Sequence, residues 1–126
     1  MRALDTNVLV RLITRDDPQQ AAAADTFIAK GAWVSVLALA ETAWVLEIVY
    51  ERSSLDIATA IDMLLHHRDL TLQDPDAVAA AVRLLRKRPT LGFSDCLMLK
   101  LARKSGHLPL GAFDRTLGKT EGALRL

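Results

Sequence analysis

The sequence predicts a single α/β domain over residues 1–126, in which a parallel sheet is flanked by helices. Its length of 126 residues is close to the usual size of one domain. An apolar fraction of 51% is enough for one sizeable core. Short apolar runs alternate with longer segments of helical spacing, and this alternation is typical of parallel strands joined by helices.

The first third of the chain contains two predicted strands and two predicted helices. Met1–Leu4 is short and apolar, which predicts a buried strand, and Asn7–Thr14 has apolar residues at helical spacing. Pro18 suits the first turn of a helix over the Ala-rich segment Gln19–Lys30. Trp33–Val36 predicts the second strand.

The middle of the chain is predicted to be mainly helical. Leu37–Tyr50 is a strongly apolar helix that we expect to be largely buried. Ser53 or Ser54 can cap the next helix, which ends near His67. Leu70–Leu72 then indicates a third strand.

The last third is predicted to contain two long helices, a short helical turn and two strands. Asp74-Pro75 begins a helix that ends near Arg88-Pro89. Ser94 is predicted to cap a helix that ends at Ser105-Gly106. Asp114 opens the helical turn. The two remaining strands are predicted at Leu108–Phe113 and Ala123–Leu126.

The composition restricts the class of protein. Cys96 is the only cysteine, which excludes an internal disulfide and fits a reducing compartment. No apolar run is long enough to span a membrane, and Asp5 and Arg11 interrupt any secretory signal. We therefore expect a cytoplasmic protein with no membrane partner.

Charge is divided unevenly along the chain, although the net charge is only +1. Residues 1–82 contain 6 Lys/Arg and 12 Asp/Glu, whereas residues 83–126 contain 10 Lys/Arg and 3 Asp/Glu. This asymmetry indicates an anionic partner, and the alternative is a set of solvated basic helix faces.

Three acidic residues lie at positions that suit either a site or a cap. Asp5 and Asp114 follow predicted strands, and ligands of parallel α/β sheets bind at the carboxyl ends of strands. Each of the two can instead serve as a helix N-cap. Asp95 lies in the first turn of a predicted helix, where the helix dipole favours a carboxylate.

Glu41 is interpreted differently, because its neighbours at helical spacing are all apolar. These neighbours are Leu37, Ala38, Trp44 and Val45. A carboxylate buried among them requires a cation or a network of hydrogen bonds. The alternative is an internal partner such as an arginine.

Together, Asp5, Glu41, Asp95 and Asp114 are predicted to bind a divalent metal ion that could act on a phosphodiester. Oxygen ligands suit Mg²⁺, and the chain has no His or Cys spacing typical of a zinc site. A metal held by carboxylates can activate a water and stabilise the leaving oxygen, so no protein nucleophile is needed. Cys96 is expected to be a core residue.

The segments around these acids resemble the motifs of a known family. They are Leu4-Asp5-Thr6-Asn7-Val8-Leu9, Glu41-Thr42-Ala43-Trp44-Val45-Leu46, Phe93-Ser94-Asp95-Cys96-Leu97 and Phe113-Asp114-Arg115. Their order, their spacing and the chain length are similar to those of PIN-domain proteins, and in particular of the VapC toxins of bacterial toxin–antitoxin pairs. The resemblance covers essentially the whole chain.

The resemblance implies a Rossmann-like parallel sheet and a Mg²⁺- or Mn²⁺-dependent endoribonuclease. It also implies a homodimer and a small antitoxin protein that folds over the active site. The acidic positions of the family fall on Asp5, Glu41, Asp95 and Asp114. Ala112 departs from the family pattern, because the family usually has Thr or Ser at the position before the Phe-Asp pair. The chain therefore lacks a hydroxyl that could orient a water or Asp114.

Side chains for RNA and a surface for a partner are also predicted. The candidate substrate-binding residues are Asn7, Arg86, Lys87, Arg88, Arg115 and Lys119. The basic ones can contact phosphates, which makes binding depend on salt. An apolar groove for an antitoxin helix is predicted on the helix Leu37–Tyr50. Its residues are Trp44, Val45, Ile48 and Val49.

Other classes of protein fit the sequence less well. The main alternative is a catalytically inactive PIN-like module that binds RNA or protein. A receiver-like switch would need an acidic pair after the first strand, where only Asp5 is present. A phosphatase of the Asp-x-Asp type is disfavoured by Asn7 at the second acidic position.

Overall fold

Five short parallel strands form two sheets in the computed structural model, which describes all residues from 1 to 126. The strands are β1 (Arg2–Ala3), β2 (Ala32–Val34), β3 (Leu70–Leu72), β4 (Leu110–Ala112) and β5 (Ala123–Arg125). The first sheet has the order β1-β2-β3, and the second pairs β4 with β5. All pairs are parallel, as the sequence predicts, but strand hydrogen bonds do not join the two sheets into one.

Seven helices connect the strands. They are α1 (Thr6–Thr14), α2 (Pro18–Ile28), α3 (Val36–Ile48), α4 (Ser54–Leu65), α5 (Pro75–Lys87), α6 (Phe93–Lys104) and α7 (Arg115–Gly118). The predicted α/β class with parallel strands and flanking helices is therefore confirmed. None of the helices is both long enough and apolar enough to cross a membrane.

The beginning of α6 differs from the prediction. Ser94 is not the N-cap, because the helix already begins at Phe93 and Gly92 has the extended N-cap conformation. Phe93 is buried in the core, which holds the first turn of the helix against the rest of the protein. Asp95 consequently lies at the third position of α6.

The core is one cluster of 26 buried residues. Its fully enclosed members include Leu9 of α1, Leu39 of α3 and Ile61 of α4. Burial of each side chain of this size contributes about 1.5–3 kcal/mol. Val78 and Leu85 add the buried stripe of α5, which packs against α4 and α6.

Two predictions of burial are wrong. β1 lies at one edge of its three-stranded sheet, and its residues Arg2 and Ala3 are exposed, whereas the adjacent Leu4 is buried. Helix α3 is not largely buried, because it encloses Leu39 and Leu46 on one face and presents a second apolar face to solvent. The exposed residues of that face are Leu37, Trp44 and Ile48, with Val49 just after the helix.

The junction between β2 and α3 is fixed by two hydrogen bonds to the helix N-terminus. The hydroxyl of Ser35 accepts from the backbone N–H of Ala38 at 3.0 Å, and the amide oxygen of Gln73 accepts from Val36 N–H at 3.0 Å. Both bonds satisfy N–H groups that the helix cannot pair internally. Leu4 N–H also donates to the Trp33 carbonyl at 3.0 Å, which brings the end of β1 beside this junction.

Candidate active site

Asp5 lies at the carboxyl end of β1 and caps α1. Its Oδ1 accepts a hydrogen bond from Thr6 N–H at 2.8 Å, and its backbone has the extended conformation of an N-cap. The side chain is exposed, and no Lys, Arg or His forms an ion pair with it. The cap fixes one carboxylate oxygen, while Oδ2 has no hydrogen-bond partner in the protein.

Thr6 connects Asp5 to Glu41. Its backbone N–H is bonded to Asp5, and its hydroxyl donates to Oε2 of Glu41 at 2.8 Å. Thr6 is only 9% exposed, so this connection is largely shielded from solvent. Asp5 and Glu41 line a common pocket of about 250 Å³, to which Ser35 also contributes. Thr6 is not among the site residues predicted from the sequence, although a hydroxyl beside a capping acid is a detectable signal.

The predicted burial of Glu41 is wrong. Glu41 is exposed, because its helical neighbours Leu37 and Trp44 belong to the solvent-facing side of α3, where they are 66% and 59% exposed. The carboxylate has no ion-pair partner, so the alternative of an internal arginine is also absent. Its hydroxyl partner Thr6, rather than burial, determines its position.

Asp95 and Asp114 form the second acidic pair. Asp95 is partly buried, and its pKa is raised, first by that burial and then by the negative charge of Asp114. Asp114 follows β4 and caps α7, where its Oδ1 accepts from Leu117 N–H at 2.8 Å. Asp95 also lines a pocket of about 240 Å³ together with Trp44 and Glu47. Neither Asp95 nor Asp114 has a cationic partner.

The four predicted acids stand as two pairs. No group of three or more His, Cys, Asp or Glu side chains is close enough to hold a metal ion. Exposed or partly buried carboxylates without cationic partners are nevertheless suitable ligands for a hard cation. Mg²⁺ usually keeps several waters and needs only one or two protein carboxylates. The residues therefore fit a hydrated divalent ion, whereas they do not form a closed cage.

Cys96 is excluded as a nucleophile. It is fully enclosed in α6, and its pKa is raised to about 11, first by burial and then by the charge of Asp95. A thiol with such a pKa is almost entirely protonated at neutral pH. Cys96 is a core residue, as predicted.

The candidate substrate-binding residues are distributed over four places. Arg115 and Lys119 are exposed beside Asp114, at α7. Arg86 lines a groove between α5 and α6, whereas Arg88 donates from Nη1 to the hydroxyl of Thr120 at 3.2 Å. Asn7 faces a cleft of about 370 Å³ between α1 and α2, apart from the pocket of Asp5 and Glu41.

The parallel strands, the helices between them and the acids that follow β1 and β4 define a Rossmann-like α/β domain with an acidic site. The chain matches the family model described as PIN domain over residues 2–122, and it therefore belongs to the PIN-domain family. PIN domains are generally nucleases that act on RNA, and they typically use divalent metal ions. No curated protein sequence matches the chain.

Proposed function

We propose that the protein is a Mg²⁺- or Mn²⁺-dependent endoribonuclease that hydrolyses RNA phosphodiesters. The observation that carries the proposal is the pair of acidic sites in a PIN-domain chain, with four carboxylates that no Lys or Arg neutralises. Asp5, Glu41, Asp95 and Asp114 are the proposed metal ligands. A bound ion would supply activation of a water for attack on phosphorus and stabilisation of charge on the leaving oxygen.

The protein's own contribution is to orient these carboxylates. Asp5, Glu41 and Asp114 each have one oxygen fixed by a hydrogen bond, from Thr6 N–H, the Thr6 hydroxyl and Leu117 N–H respectively. The second oxygen of each remains free for a cation. Hydrogen bonds of this kind hold metal ligands in place. The Leu117 N–H offers Asp114 an orienting donor although Ala112 has no hydroxyl.

Cleavage of RNA by the purified protein tests this function. We expect cleavage only with added Mg²⁺ or Mn²⁺, and a loss of at least about 100-fold in Asp5→Asn and in Asp95→Asn, because each removes a charged ligand. Asp56→Asn is the matched control, since Asp56 is an exposed acid of α4 outside both acidic pairs. Undiminished cleavage in excess chelator would refute metal dependence.

A second candidate function is binding of RNA or protein without cleavage. It is favoured by the absence of a three-acid cluster and by the use of Asp5 and Asp114 as helix caps. Titration of the protein with Mn²⁺ in a calorimeter separates the two functions. An inactive module would bind RNA, leave it intact and take up no Mn²⁺.

We further propose that the protein acts in the cytoplasm as the toxin of a type II toxin–antitoxin pair similar to the VapC systems. The exposed apolar residues Trp44, Ile48 and Val49 support a surface for an antitoxin helix. We propose in addition a homodimer contact that is separate from this surface. Expression from a tightly controlled promoter should arrest growth, and mapping of RNA ends in the arrested cells identifies the RNA. Arrest that persists when the small neighbouring reading frame is co-expressed would contradict the pairing.

A further inference from the structure

A groove between α5 and α6 is lined by four cationic side chains and no acid. We call it the basic groove; its volume is about 570 Å³, and its lining residues are Ala80, Arg83, Leu84, Arg86, Lys87 and Lys100. Arg83, Arg86 and Lys87 lie on one face of α5, because they are three and four residues apart. Lys100 faces them from α6.

None of the four cations is neutralised within the protein. They form no ion pair and no side-chain hydrogen bond, whereas Lys104, on the same pair of helices, contacts Asp74 and Asp76 at 2.7 Å each. Like charges at helical spacing repel each other, so this arrangement is unfavourable for the isolated protein. A polyanion bound in the groove would remove the repulsion.

The position of the groove relates it to the acidic site. Helices α5 and α6 are joined by the short segment 88–92, and Asp95 lies in the first turn of α6. Lys100 follows Asp95 by five residues, which is about 7.5 Å of helix rise. The same five residues turn about 140° around the helix, so an RNA chain that reaches both places must pass around α6 and needs more nucleotides, at about 3.4 Å each, than the rise alone requires.

The chemistry of the lining determines what the groove can recognise. Arg and Lys bind phosphate oxygens, Arg through its planar fork and Lys as a point charge. The groove contains no aromatic side chain on which a base could stack and no Asn, Gln or carboxylate for adenine or cytosine. Among the base edges its Arg and Lys side chains can bind only guanine, whereas they can bind the phosphate of every nucleotide. It therefore suits the phosphate backbone and not a particular sequence.

We propose that the basic groove binds the phosphate backbone of substrate RNA beyond the cleavage site, independently of sequence. The proposal rests on the proposed nuclease function for the identity of the polyanion. The carboxylate pairs repel RNA. The separate cationic surface on α5 and α6 supplies affinity for RNA that the carboxylates cannot. Arg83 and Lys100, which are not among the residues predicted from the sequence, are then RNA-binding residues.

The test compares two triple variants with equal net charge. The groove variant carries Arg83→Gln, Lys87→Gln and Lys100→Gln. The control carries Arg15→Gln, Arg68→Gln and Lys104→Gln, which remove cations that are already paired with Asp25, with Asp69 and with Asp74 and Asp76. Thermal melts of both confirm that the fold is retained, and fluorescence anisotropy in chelator measures binding of a labelled single-stranded RNA without cleavage.

We expect the groove variant to lose about two units of the slope of log K against log salt, since each lost contact with a single strand removes about 0.7. The control variant should keep the slope of the parent. In cleavage assays with metal, the loss should fall on KM rather than on kcat. The increase in KM should also be about tenfold greater for a long RNA than for an RNA that just spans the cleavage site.

Four outcomes would count against the groove, and a fifth would separate it from the nuclease function. An unchanged salt slope in the groove variant would overturn the proposal, as would an equal loss in the control variant. An equal rise in KM for the short and the long RNA would place these side chains at the cleavage site. Poly-glutamate that competes as well as RNA of equal charge would assign the groove to an acidic protein. If the parent binds RNA through the groove but never cleaves it, the nuclease function fails while the groove stands.

Discussion

At the scale of single residues, Thr6 links the carboxylates of Asp5 and Glu41 by hydrogen bonds. Its N–H holds Asp5 at 2.8 Å, and its hydroxyl holds Glu41 at the same distance although 35 positions separate Thr6 from Glu41 in the chain. Replacement by Val preserves shape and the N–H bond but removes the hydroxyl. We expect Thr6→Val to reduce stability by about 1 kcal/mol and to weaken Mn²⁺ binding by about 10- to 100-fold.

Thr6→Ser is the matched control for this change, because it retains the hydroxyl and should restore most of the Mn²⁺ affinity. Calorimetric titration with Mn²⁺ measures the affinity of both variants, and urea unfolding measures their stability. Parental Mn²⁺ affinity in Thr6→Val would show that Glu41 does not depend on Thr6 for its orientation.

A second prediction at this scale concerns the partly buried Asp95. Burial and the charge of Asp114 raise its pKa in the folded protein above the ordinary aspartate value near 3.9. Between these two pKa values the folded chain holds a proton that the unfolded chain has lost. The free energy of unfolding therefore falls as pH rises from the unfolded pKa through the raised folded one, and the loss persists at neutral pH.

We therefore expect Asp95→Asn to melt higher than the parent in chelator at neutral pH, by on the order of 1–3 °C. The difference should vanish below the ordinary aspartate range, where Asp95 of the parent is protonated in both states. Paired thermal melts across acidic and neutral pH measure this, with Asp56→Asn as the control for loss of a surface carboxylate. A lower melting temperature for Asp95→Asn at neutral pH would mean that the ionised Asp95 makes a stabilising contact.

These residues show how far the sequence predicts the candidate site. Strand ends identify Asp5 and Asp114, because the position of an acid after a strand is a local property. The burial expected at Glu41 is found instead at Asp95. Apolar neighbours at helical spacing imply burial only if that face of the helix is covered, and the covering of α3 depends on contacts with distant parts of the chain.

At the scale of elements, the short helix α7 depends on close packing against β5. A Cβ added to Gly118 would lie 2.7 Å from Cβ of Arg125 and 3.1 Å from its backbone Cα. Because a backbone atom cannot move aside as a flexible side chain can, we expect Gly118→Ala to destabilise the protein by about 1–3 kcal/mol. Denaturant unfolding measures the effect.

Gly111→Ala in β4 provides the control for the packing of α7. A Cβ there would meet Leu126 at 3.5 Å, which is an ordinary contact, so little change is expected. Since α7 is capped by Asp114, Gly118→Ala should also weaken Mn²⁺ binding, whereas Gly111→Ala should not. Equal stability of the two variants would show that β5 can shift away from α7 without a loss in the free energy of unfolding.

Most individual helices and strands are predictable from the sequence, but their association is less so. Hydrophobic periodicity is local, and it predicts α1 to α5 to within a few residues. The division of the strands into two sheets and the exposed edge position of β1 depend on which strands pair, and pairing is not encoded within a segment. The N-cap of α6 was displaced because burial of Phe93 extends the helix beyond Ser94.

At the scale of the whole molecule, the two acidic pairs come from differently charged parts of the chain. Asp5 and Glu41 come from the acidic residues 1–82, and Asp95 and Asp114 come from the basic residues 83–126. The C-terminal part therefore contributes both acids of the second pair and the cations of the basic groove. Charge asymmetry along the sequence indicates an anionic partner, but only the fold reveals that the four cations of the basic groove lie on α5 and α6 and that one of the four acids, Asp95, lies on α6 as well.

The two-pair arrangement leads to a prediction about the coupling of metal binding and stability. An ion that binds only the folded protein stabilises it by RT ln(1 + [M]/Kd), which is about 2.7 kcal/mol at a concentration of 100 Kd. We expect added Mg²⁺ or Mn²⁺ to raise the melting temperature by several degrees, on the order of 5–10 °C. Added NaCl of equal ionic strength is the control and should have a smaller effect.

The same melts determine whether both pairs hold one ion. If Asp5 and Glu41 share an ion with Asp95 and Asp114, then Asp5→Asn alone and Asp95→Asn alone should each remove most of the metal-induced shift. If each pair binds separately, each variant should remove part of the shift, and the double variant should remove the sum. A shift that survives intact in the double variant would place the metal away from all four carboxylates, and the proposed catalytic site with it.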